Sequence, residues 1–96
     1  MSPINKKRLD LLRVKLDRLD GNLLKLIKER SQLVNEVLKV KIHKKEIIDQ
    51  KRISFILKKI KKKSIQLNID PKITNRIWKN MIWSFIDYEK RNFKKK

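Results

Sequence analysis

The sequence predicts an all-α protein of three helices, the first of them very long. Three observations carry this. Leu9, Leu12, Leu16, Leu19, Leu23, Leu26, Leu33, Val37 and Val40 recur at alternating steps of three and four, the spacing of a heptad seam. One glycine, two prolines and no Val/Thr/Tyr runs leave nothing that reads as a strand. Asp70-Pro71 pairs a capping side chain with proline at the first helical position, a restart signal ahead of an aromatic-rich third helix.

Residues 1–7 read as a short polar leader with Ser2 or Asn5 as a helix cap, residues 8–90 as one helical domain, and residues 91–96 as a basic, solvated tail. A first helix from Leu9 to Ile42 would be roughly 51 Å long. A compact chain of this size has a radius of gyration of about 13 Å, so the helix overshoots its own globule. A second copy of the chain is the simplest cover for the seam, and a homodimer is expected. Gly21 interrupts the helix at about 1 kcal/mol relative to alanine and could mark a close helix crossing.

His43 to Ile47 reads as a loop, with Asp49 at the start of the second helix. Ile53, Ile56, Leu57 and Ile60 form that helix's apolar face, Ile65 and Leu67 close it, and Lys58 to Lys63 is a solvated run. The third helix carries Ile73, Ile77, Trp78, Met81, Ile82, Phe85 and Tyr88 on a broad apolar face.

The net charge of +18 suits a nucleic-acid binder. However, lysines are spread around the helices, arginine forks are few and alanine is absent, which points to compositional bias. Nucleic acid is therefore disfavoured as a partner. Without cysteine there is neither a disulfide nor a thiolate metal site. There is no apolar leader and no membrane-length apolar run, so a soluble cytoplasmic protein is expected.

The candidate functional residues are charges in awkward places. Arg30 fills the one skipped position of the aliphatic seam, where a cation is costly unless an anion meets it. Lys41 follows on nearly the same face, roughly 16 Å along the axis, so the two side chains could hold a small dianion between them. Asp49 and Arg52 share a face at i,i+3, and Glu89 continues a stripe of Trp78, Ile82 and Phe85. Each alone reads most simply as a surface charge or ion pair. Together they fall on the inward faces of three helices. No metal site is expected, since His43 stands alone among scattered carboxylates. There is no glycine-rich phosphate loop, and nothing pairs a serine with His43.

Leu12-Arg13, Leu19-Asp20, Leu23-Leu24, Glu29-Arg30, Val37 and Lys39-Val40-Lys41 resemble the first helix of the all-helical (type II) chorismate mutases. Ile48-Asp49-Gln50-Lys51-Arg52 is similar to the family's Asp-x-x-Arg. Asp70-Pro71 and a third helix ending in Tyr88-Glu89 complete a match over about residues 8 to 90. The resemblance implies an intertwined homodimer that rearranges chorismate to prephenate in aromatic amino acid biosynthesis, with no covalent intermediate and no cofactor. It implies that Arg30 and the partner's Arg13 bind the substrate carboxylates, and that Lys41 bridges a carboxylate and the ether oxygen. Glu89 would donate a second hydrogen bond to that oxygen, which it can do only when protonated, and Asp49 and Arg52 would shape the ring-hydroxyl side. Helix geometry agrees, because Arg13 lies roughly 26 Å from Arg30 on the side away from Lys41.

Two departures stand out. Ile53 occupies the place of a family glutamate that binds the substrate hydroxyl, and Phe85 that of a serine. Both make the pocket more apolar and resemble the related isochorismate pyruvate-lyases, whereas Asp49 points to the mutases. A lyase, or a mutase on a chorismate analogue, is the alternative, and a non-enzymatic nucleic-acid-binding dimer the second.

Overall fold

The computed structural model describes residues 2–94. Among them are three α-helices, α1 (Pro3–Val40), α2 (Gln50–Gln66) and α3 (Pro71–Asn92), with a short 3₁₀ turn at Lys44–Ile47 and no strand. The all-α class and the very long first helix stand as the sequence predicts.

The chain forms two units, residues 1–33 and 34–96. The first is α1 up to Leu33. The helix starts earlier than the seam suggests, because Ser2 Oγ accepts from the Asn5 amide at 3.2 Å and Pro3 needs no partner at the first helical position. None of the residues of α1 is buried. Leu12, Leu16, Leu19, Leu23, Leu26 and Leu33 are all more than half exposed, so the seam is an apolar stripe facing outward. The space beside Gly21 is open.

The second unit holds the end of α1, the 3₁₀ turn, α2 and α3. Its core is the buried cluster of Ile47, Ile82 and Ile86, on which Leu38, Ile53, Ile56 and Leu57 pack. The 3₁₀ turn stands where a loop is expected. Glu46 Oε1 accepts from the His43 amide at 3.1 Å, the Glu46 amide donates to the His43 carbonyl at 3.0 Å, and Ile47 is driven into the core at 3% exposure.

α2 ends in a tight reversal. The Asn68 amide donates to the Ile65 carbonyl at 3.1 Å and the Ile69 amide to that of Ser64 at 2.8 Å, with Asn68 in the left-handed conformation at φ 57. Asn tolerates that conformation better than most residues with a side chain. Asp70 then caps α3, accepting from the Lys72 amide at 2.9 Å, with Pro71 in the first turn. A buried hydroxyl pair, Ser64 Oγ and Thr74 Oγ1 at 2.7 Å, joins the two helices.

Some facing residues differ from the expected pattern. Ile65 and Leu67 are exposed, because the buried arc of α2 ends instead at Ser64. On α3 the buried stripe runs Thr74, Ile82, Ile86 and Glu89, so Ile73 and Ile77, one position to its side, are exposed. Within the predicted tail, Arg91 and Asn92 belong to α3, and Phe93 packs on the core. Met1, Lys95 and Lys96 lie outside the described residues. No helix among the described residues is long and apolar enough to cross a membrane.

Candidate active site

α1 ends at Val40, which leaves Lys41 just past its last turn, held by one long backbone bond to the Leu38 carbonyl at 3.3 Å. Its side chain reaches the last turns of α3. Lys41 Nζ donates to Glu89 Oε2 at 2.8 Å, with the two side chains 17% and 9% exposed. At that burial an unpaired charge of either sign is costly, and pairing through a short charge-assisted hydrogen bond makes both tolerable. An ammonium has three donors, so two remain for a ligand after Glu89 takes one. Two further ion pairs, Lys39–Glu36 on α1 and Arg91–Asp87 on α3, each join near neighbours on an exposed helix face.

Lys41 also lines an open cleft of about 510 Å³ with Glu46, Ile48, Asp49, Gln50 and Lys51. Asp49 caps α2, its Oδ1 accepting from the Arg52 amide at 3.0 Å. Asp49 therefore has a local structural use, independent of the side chain at position 52, as well as a place on the cleft. Arg52 is exposed, and its guanidinium lies 5.4 Å from the centre of the Phe55 ring, within cation–π range.

Ile53 is half-buried against the core cluster, and Phe85 is half-buried on α3, one turn before Glu89. Arg13 and Arg30 belong to the first unit, Arg13 exposed and Arg30 half-buried. Within the second unit the structure thus joins Lys41 to Glu89 and sets Asp49 on the cleft that Lys41 lines.

Sequence reasoning did not single out Glu46, Gln50 or Lys51 for the cleft. The His43-x-x-Glu46 spacing is the signal that could have placed Glu46, since it matches a capping pair at a helix start. It also passed over a second cross-link between α1 and α3. Tyr88 Oη donates to Asn35 Oδ1 at 2.8 Å, across 53 positions of sequence.

A family model described as chorismate mutase type II matches residues 12–90, and the chain belongs to this family. Searches of curated proteins and of solved structures find no match.

If the Lys41–Glu89 pair is mutually compensating, Lys41→Met should destabilise the protein by about 3 kcal/mol, the scale of stranding a buried charge. Glu89→Leu added to it should restore most of that loss. Urea unfolding of both variants at one protein concentration reads the difference; equal stability of the single and double variants would contradict the pairing.

Proposed function

We propose that the chain is a chorismate mutase, rearranging chorismate to prephenate by holding the reactive conformer and stabilising charge on the breaking ether bond. The observation that carries this reading is the Lys41–Glu89 pair, in a chain of this family, with Lys41 on an open cleft beside Asp49. In the rearrangement the ether C–O bond breaks as a C–C bond forms, and electron density builds on the oxygen. Two donors aimed at that oxygen stabilise this charge, and a bound conformer with the reacting ends together lowers the entropic part of the barrier.

Lys41 is one donor. Glu89 is the other, and its proton decides its role. Ionised, the carboxylate accepts from Lys41 and holds it; protonated, it donates to the ether oxygen. Asp49 and Arg52 take the ring-hydroxyl side. Arg30 and the partner's Arg13 bind the carboxylates through planar forks that suit such anions.

The shared site needs a homodimer, and the exposed leucines of the first unit support one. A stripe of that length left in water is the kind of surface that marks a protein interface. A second copy laid antiparallel covers the stripe and brings Arg13 to the other chain's site.

The apolar Ile53 and Phe85 favour the lyase as the second reading. Incubation with chorismate and with isochorismate separates them. Prephenate is the expected product; salicylate with pyruvate from isochorismate supports the lyase, and inactivity on both overturns the enzymatic reading.

Glu89→Gln, a permanent donor, should keep activity. Glu89→Ala should lose on the order of 10² in rate, the scale of one preorganised donor. Wild-type kcat/KM in a folded Glu89→Ala variant would remove Glu89 from the donor role.

Mixing Arg13→Ala with Arg30→Ala chains tests the shared site. Random exchange gives heterodimers in which one site escapes both changes, so an equimolar mixture of two inactive variants should recover about a quarter of wild-type activity. No recovery after proven exchange would overturn the partner's role.

A further inference from the structure

We infer that Tyr88 and Asn35 form a latch that positions Lys41 opposite Glu89 during catalysis, an inference that rests on the mutase reading above. Two side-chain bonds tie the end of α1 and the residue after it to the end of α3. One is the Lys41–Glu89 ion pair at 2.8 Å, the other the Tyr88–Asn35 hydrogen bond at 2.8 Å. Tyr88 directly precedes Glu89, and Asn35 lies less than two helical turns before Lys41.

Lys41 needs such support because it stands outside the helical ladder. Residues 41–43 are irregular, and the Lys41 amide reaches the Leu38 carbonyl at 3.3 Å. Downstream the segment is fixed where Ile47 enters the core beside Ile82 and Ile86. Upstream it is fixed by Leu38 packing on that core and by Asn35 held to Tyr88.

The two cross-links behave differently when substrate enters. On this reading the ion pair opens, since Lys41 turns a donor toward the ether oxygen and Glu89, protonated to donate there, is no longer the ammonium's counter-ion. The Tyr88–Asn35 bond is part-buried, neutral on both sides and does not involve the reacting atoms. It can stay made while the ion pair opens, and it then keeps the end of α1 against α3 so that both donors converge on one oxygen. Tyr88 is thus a positioning residue rather than a catalytic one.

Removing only the phenol oxygen tests this. Tyr88→Phe should lower kcat about tenfold with KM nearly unchanged, because loss of alignment acts on the transition state. Asn35→Asp, which keeps an acceptor for the phenol, should retain kcat. The double variant Asn35→Leu/Tyr88→Phe replaces the hydrogen bond by apolar contact, a change that can be nearly neutral for stability. It should melt close to wild type yet keep the low kcat, a split that a merely structural bond would not give. Wild-type kcat in the folded Tyr88→Phe or double variant overturns the latch alone. A wild-type chain without mutase activity overturns the latch together with the function on which it rests.

Discussion

A lysine and a glutamate that would each be costly in their surroundings are tolerable because they meet. The 2.8 Å contact between Lys41 and Glu89 joins the residue that follows α1 to the closing turns of α3. Much of the second unit can be read as what this contact requires. The 3₁₀ turn seats Ile47 in the core and returns the chain toward α2 with Lys41 still facing α3. The Asn68 reversal and the Asp70 cap turn α3 back along α2, and the Ser64–Thr74 hydroxyl pair fixes their register. These features converge on a short charge-assisted hydrogen bond beside an open cleft.

The first unit follows a different logic. Among the described residues its helix carries leucines that are more than half exposed, although a helix in a stable globule buries an apolar face. In the proposed dimer a second copy covers this seam and the long helix serves two sites. On that proposal the chain divides its chemistry by charge type. Lysine and glutamate from the second unit face the breaking bond, while arginines from the first hold the carboxylates.

Much of this was legible in the sequence where a signal is local. Asp70-Pro71 and Asp49 each announce a helix start through a side chain two or three residues from the amide it caps, and both caps are present. Lys41 stands out for sharing a face with Arg30, and Glu89 for continuing the stripe of Trp78, Ile82 and Phe85; the structure pairs these two with each other. Signals that depend on a neighbouring element were lost. Periodicity finds the apolar face of α3 but not its centre, so Ile86 was missed while the exposed Ile73 and Ile77 were included. Asn35 sits between the seam residues Leu33 and Val37, and nothing local ties its amide to a phenol 53 residues away. Ser2-Pro3 carries the same start signal as Asp70-Pro71, yet the polar residues after it resembled a leader.

In the proposed mechanism Lys41 and Glu89 part to receive the ether oxygen of the substrate. A crystal structure of the protein with a bicyclic ether dicarboxylate shaped like the rearranging substrate would show this. The ether oxygen is expected within hydrogen-bond distance of both Lys41 Nζ and Glu89, with their direct contact opened beyond it. A ligand bound elsewhere while the pair stays closed at 2.8 Å would contradict it.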